Sequence, residues 1–156
     1  MSRLVRLAVG AGLLLSVSAC TKASPAITLV SQGSRTHFEA QQWCRDGAAL
    51  DKGTECPGTG PDHDAVLKVR DGDQVGIDVD SDLLDPGWYL YDADTKSNIT
   101  GVKTGHYYAL ANVVFSGRPD TGIIRLEVRT VDHLPTSSTD LPRITGRWQF
   151  QLVQRD

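Results

Sequence analysis

The chain has 156 residues, a length suited to one domain, and its 40% hydrophobic and 22% charged residues describe a globular rather than a disordered polypeptide. Two of its sixteen Lys and Arg lie in the first nineteen residues and none of its nineteen Asp and Glu does, so the remainder carries fourteen basic against nineteen acidic groups, a formal charge of −5. That balance excludes a general nucleic-acid binder, which needs a basic surface, and the lack of a second apolar run of ~20 residues excludes a polytopic membrane protein.

The N-terminus, MSRLVRLAVGAGLLLSVSAC, has the three-part layout of an export signal. Arg3 and Arg6 form the positive start, and Leu7 to Val17 form an apolar run too short to span a bilayer. Val17-Ser18-Ala19-Cys20 resembles the bacterial lipobox, in which small residues admit the peptide to the signal peptidase. The cysteine thiol takes a diacylglyceryl group in thioether linkage. Residues 1–19 therefore read as a signal peptide and Cys20 as the lipid attachment site. Two acyl chains give stable anchoring because each buried CH₂ contributes about 0.8 kcal/mol. Residues 20–25 (CTKASP) read as a short lipidated tether, and residues 26–156 as a single domain. With Cys20 lipidated, Cys44 and Cys56 form an even pair in an exported chain, and a structural disulfide is expected between them. Their spacing fits neither a C-x-x-C redox pair nor a zinc site.

Along the rest of the chain apolar residues recur with period two. Ala26 to Val30 reads as a first strand, and Ser31-Gln32-Gly33-Ser34 as a turn. Arg35 to Trp43 reads as a returning strand, with a helical turn over Phe38 to Trp43 as the alternative. Cys44 to Asp64 is a long Gly-, Pro- and Asp-rich loop. Ala65 to Arg70 is a strand, Asp71-Gly72 a tight turn, and Gln74 to Asp80 a half-buried strand with Val75, Ile77 and Val79 inward. Asp85-Pro86-Gly87 punctuates before Trp88 to Tyr91, where Trp88 and Leu90 share one face and Tyr89 and Tyr91 the other. Tyr107 to Phe115, Thr121 to Val131 and Thr145 to Val153 complete the strands, the second with Ile124, Leu126 and Val128 pointing one way and Arg125, Glu127 and Arg129 pointing to water, and His133 to Pro142 is a polar loop. Seven or eight short strands without a sustained 3.6-residue period indicate an all-β fold, an antiparallel immunoglobulin-like sandwich with a core of Trp88, Trp148, Leu126 and Ile77.

Chemistry-bearing patterns are sparse. Asp71, Asp73, Asp78, Asp80, Asp82 and Asp85 crowd one stretch, and Asp78-x-Asp80-x-Asp82 begins like a calcium loop. Leu83 stands where such a loop needs Gly, and Tyr89 where it needs Glu. An exposed strand face accounts for these carboxylates more simply. His37, His63, His106 and His133 are far apart and read as surface histidines. Asp62-His63-Asp64 lacks a nucleophile motif beside it. Tyr89, Tyr91, Tyr107 and Tyr108 are the candidates for a contact surface, since exposed aromatics supply large area at low entropic cost.

The pair Cys44 and Cys56, Leu67-x-Val69 followed by Gly72 and Val75-x-Ile77-x-Val79, Gly87-Trp88 and Arg147-Trp148-x-Phe150 together resemble a family of small actinobacterial lipoproteins of unknown function. The resemblance implies an immunoglobulin-like β-sandwich on the outer face of the cytoplasmic membrane, and it implies no substrate or catalytic residue. The expectation is thus a membrane-anchored, extracytoplasmic, non-catalytic binding or assembly module. Its membrane contact is the diacylglyceryl group on Cys20, its partner is an envelope protein or the cell wall, and it has no catalytic residue, metal or cofactor. The alternative is a metal- or small-ligand-binding envelope protein using Asp78–Asp85.

Overall fold

Alternation along the strands sorts side chains between a buried and a solvated face, and two sheets close over the buried ones. The computed structural model describes residues 23–50 and 56–156. Residues 1–19, read above as a signal peptide, and Cys20 lie outside the described residues, as do residues 51–55 of the loop between the two other cysteines. The strands are β1 (Ala26–Ser31), β2 (Ser34–Glu39), β3 (Gln42–Trp43), β4 (Ala65–Val69), β5 (Val75–Val79), β6 (Trp88–Asp92), β7 (Ser97–Asn98), β8 (Tyr107–Leu110), β9 (Ile123–Val131) and β10 (Ile144–Gln154). One sheet has the order β2-β1-β5-β8, and the other β3-β10-β9-β6-β7 with β4 also on β10. The chain crosses from β5 to β6, back to β8 and over again to β9, the Greek-key exchange of an immunoglobulin-like sandwich.

Between the sheets lie Ile77, Trp88, Leu90, Leu126, Val128, Trp148, Phe150 and Leu152, all fully buried. The four residues expected to centre the core are among them. An apolar side chain so placed contributes about 1.5–3 kcal/mol relative to exposure. Both buried indoles are also satisfied as donors, because Trp88 Nε1 reaches the Gly105 carbonyl at 2.9 Å and Trp148 Nε1 the Pro25 carbonyl at 2.8 Å.

The structure differs from the sequence reading at several points. The strand expected over Arg35 to Trp43 is two strands in different sheets, with no helical turn between them. The break falls at buried Ala40, whose carbonyl accepts from Gly60 N at 2.8 Å while that of Gln41 accepts from Gly58 N at 3.0 Å. Those backbones pass so close that a Cβ at Gly58 would stand 1.8 Å from the Ala40 oxygen. The strand expected over Tyr107 to Phe115 stops at Leu110, because Asn112 has φ 54° and turns the chain. Beyond it Val113 and Phe115 still bury their side chains. A 3₁₀ turn at Ser81–Leu83 and the two-residue β7 were not foreseen.

One pairing is parallel, between β4 and β10. It shares an edge of β10 with antiparallel β3, which takes Gly146 and Arg147, while β4 takes Phe150 to Gln154. The gap between them is filled by a side chain. Gln41 Nε2 donates to the Gln149 carbonyl at 3.1 Å, and its Oε1 accepts from Gln149 N at 2.8 Å, so an amide replaces a strand backbone.

Cys44 and Cys56 are joined across 12 positions, as expected. The bridge secures β3, since Trp43 N donates to the Cys56 carbonyl and Cys44 N to the Thr145 carbonyl. Replacing both cysteines by serine frees a loop of about a dozen residues in the unfolded chain and is expected to lower stability by about 2–3 kcal/mol in urea unfolding. Unchanged stability would show that the loop is held by its hydrogen bonds alone.

Candidate functional site

The outer face of the six-stranded sheet carries the polar partners of the buried core residues. Residues directly opposite in neighbouring strands point to the same side, which generates two rows across the sheet. Gln42, Arg147, Arg129 and Tyr89 form one, and Gln149, Glu127, Tyr91 and Asn98 the other. Their side chains pair with one another. Glu127 Oε2 lies 2.6 Å from Arg129 Nε and 3.5 Å from Arg147 Nε, and its Oε1 accepts from Gln149 Nε2 at 3.2 Å. The Arg129 guanidinium sits 3.4 Å from the centroid of the Tyr91 ring, a cation–π contact. Burial pulls the Arg129 pKa down, but hydrogen bonds to Glu127 and Tyr89 outweigh it and hold the group above its ordinary value. Glu127 is 6% exposed although it points away from the core, because the two guanidiniums and Gln149 close over it. The cluster has one guanidinium more than carboxylate, on a chain of net negative charge.

Tyr89 joins this face to a hollow of about 400 Å³ at the loop end of the sheet, lined also by Asn98, Thr100, Val102, Pro135 and Leu141. One wall is the connection from β9 to β10, residues 132–143, and a charged strap holds it. His133 Nδ1 lies 2.7 Å from Asp132 Oδ1 and its Nε2 2.8 Å from Asp140 Oδ1. Acceptors at both ring nitrogens are satisfied together only by the imidazolium. Asp132 also accepts from Arg143 N and Nε, each at 2.9 Å, and Asp140 from Thr136 N at 2.8 Å.

Hydrogen bonds to Asp140 and then Asp132 raise the His133 pKa above 6.5. The Thr136 amide, then His133, lower Asp140 to about 2. At Asp132 burial works upward, but the bonds from Arg143 and His133 win and lower its pKa.

The other sequence candidates take separate places. Tyr107 is 60% exposed on β8, at the edge of the other sheet. Tyr108 packs against the core beneath Lys103. Of the acidic run, Asp80 accepts from Ala26 N, Asp71 from Phe115 N, and buried Asp73 from Arg70 N and Gln32 Nε2. These carboxylates cap backbone donors, and among the described residues no three His, Cys, Asp or Glu gather to hold a metal ion. His37 contacts Thr28 Oγ1, His106 contacts the Val79 carbonyl, and His63 is exposed, so the histidines do not meet.

Two features escaped the sequence reading. Arg125, Glu127 and Arg129 read simply as solvated, because the Arg147 and Gln149 that cover Glu127 come from another strand. His133 is the surface histidine it was read as, but its bridge between Asp132 and Asp140 was not foreseen, although Asp132 beside it was a local signal. Searches of protein-family models, curated proteins and solved structures find no match to this chain.

The strap sets a pH window. The His133 contribution is complete below 6.5 and is lost as pH rises through its raised folded value. The Asp140 contribution is complete above 3.8 and is lost as pH falls toward about 2. The loop is therefore expected to be best held between about pH 4 and a point above 6.5. Ring titration of His133 by NMR should give a midpoint above 6.5 that falls in Asp140→Asn; a midpoint at or below 6.5 would contradict the bridged imidazolium.

Proposed function

We propose that this chain is a non-catalytic binding module of the bacterial cell envelope. A diacylglyceryl group on Cys20 tethers it to the outer face of the cytoplasmic membrane, and it meets a partner protein through the outer face of β6, β9 and β10. Membership of the actinobacterial lipoprotein family that its motifs resemble is part of the same proposal. The anchoring rests on the order of positive start, short apolar run and Val17-Ser18-Ala19-Cys20. The binding role rests on a single observation, the cluster of half-buried Tyr91, Arg129 and Arg147 around buried Glu127 on an outer sheet face.

Tyrosine and arginine are the residue types that dominate binding energy at protein interfaces. Here they are already held by neighbours in the free protein. A partner therefore loses less to side-chain ordering, which otherwise costs about 0.5–1.5 kcal/mol per immobilised side chain. The surplus guanidinium suits a partner that offers a carboxylate.

Two measurements test the proposal. Radiolabelled palmitate should mark the protein in its host and not the Cys20→Ala form. A photo-crosslinking residue at Gln149, on the proposed face, should give a discrete heavier species in intact cells. The same residue at Asp78, exposed on the other sheet, should not. An unlabelled protein would remove the membrane location, and equal products from both faces, or none, would remove the assigned surface.

A further inference from the structure

We propose that the end of the sandwich bearing the 132–143 loop is seated on the lipid surface, with Val102, Leu134, Pro135, Leu141 and Pro142 as its contact patch. The inference rests on the anchoring of Cys20 proposed above. It adds an orientation and a second surface to that reading.

The chain becomes fixed to the body at Ser24 to Ala26. Ser24 N donates to Thr59 Oγ1 at 2.8 Å, the Pro25 carbonyl accepts from buried Trp148 at 2.8 Å, and Ala26 N donates to Asp80 Oδ2 at 2.7 Å. Only Thr21, Lys22 and Ala23 separate Ser24 from Cys20. The four Cα–Cα steps span at most about 14 Å, close to the ~14 Å radius of gyration expected for a domain of this length. Such a tether lets one end of the sandwich reach the membrane and keeps the other away.

The strand register identifies that end. Ala26 pairs with Glu39 at the close of β2 and lies beside Asp80, just past β5. There β8 starts, with Tyr107 opposite Asp78, β6 starts with Trp88 opposite Thr130, and β10 starts with Ile144 opposite Val131. The connections 80–87, 99–106 and 132–143 all emerge with the tether, while the Gly72 turn and residues 111–122 lie at the opposite end.

The tethered end carries an apolar patch. Gly87 has φ +88° and no side chain, and the space above it is taken by Val102 and Leu134, with Val102 Cγ1 2.6 Å and Leu134 Cδ2 2.7 Å from where a Cβ would stand. Val102 also lines the hollow shared by Pro135, Leu141 and Pro142. Leu141 is 85% exposed and Leu134 43%. The carboxylates of the 132–143 loop, Asp132 and Asp140, are matched by Arg143 and His133, so that loop itself adds no unmatched carboxylate to the patch. Two leucines bind lipid weakly at about 0.8 kcal/mol per buried CH₂. A lipidated neighbour, however, holds them at an effective concentration in the millimolar range. So oriented, the Tyr91–Arg129 face stands at the side of the body, open to a partner.

The test uses the protein lipidated at Cys20, in which the disulfide leaves no other cysteine thiol. An environment-sensitive fluorophore is placed through Leu141→Cys, Ser138→Cys or, at the far end, Ser116→Cys. Each protein is reconstituted into phosphatidylcholine–phosphatidylglycerol vesicles with or without nitroxide headgroup lipid. Emission from positions 141 and 138 should be blue-shifted and quenched by about twofold or more, and emission from position 116 unaffected. Lipidated protein whose position 141 is unquenched overturns this inference alone. A blue shift there without quenching does the same, assigning the patch to a second copy. Protein that carries no lipid on Cys20 overturns the anchoring reading and this inference with it.

Discussion

Successive side chains on a β-strand project to opposite faces, and this constraint acts most strongly along β9 and β10, the two longest strands. Ile124, Leu126 and Val128 must enter the core if Arg125, Glu127 and Arg129 are to leave it. The same holds for Trp148, Phe150 and Leu152 against Arg147, Gln149 and Gln151. A slip of one residue would bury the charges and expose the core. Because the two strands pair in unbroken register over the eight positions from Gly146 to Val153, the choice that builds the hydrophobic interior also sets Glu127 between Arg129 and Arg147. The interior and the candidate binding face are two outcomes of one pairing.

The free edge of β10 is the place where this arrangement needed extra parts. An unpaired edge offers backbone donors and acceptors to any passing strand. Here it is covered in pieces by β3, the side-chain amide of Gln41 and the parallel β4. The disulfide and the close passage of Gly58 and Gly60 past Ala40 secure β3 and the crossing that leads to it. These loop devices thus serve the sheet that carries the outer face, and they keep that edge from offering a second, unspecific surface.

Most of the sandwich could be read from alternation and turn residues. The inward sets Val75-Ile77-Val79 and Trp88-Leu90 were legible because their periodicity is local, and so was the Cys44–Cys56 bridge, because reading Cys20 as the lipid site left the other two cysteines as an even pair. The parallel pairing of β4, the split at Ala40 and the Gln41 amide were not legible, because each depends on which distant strand lies alongside. The site shows the same division. Tyr89 and Tyr91 stood out on the face opposite Trp88 and Leu90, whereas the burial of Glu127 depends on β10. His133 falls between these cases: Asp132 adjoins it in sequence, but Asp140 meets it only through the fold of the loop.

Binding through the outer face requires that face to be a preformed constellation rather than a set of independently solvated side chains. A double-mutant cycle on Glu127→Ala and Arg129→Ala, measured by urea unfolding of the disulfide-intact protein, tests this directly. Each group is largely buried, so a coupling energy of about 1–3 kcal/mol is expected. A coupling within about 0.3 kcal/mol of zero would mean that the two side chains act independently, and it would contradict the preformed face.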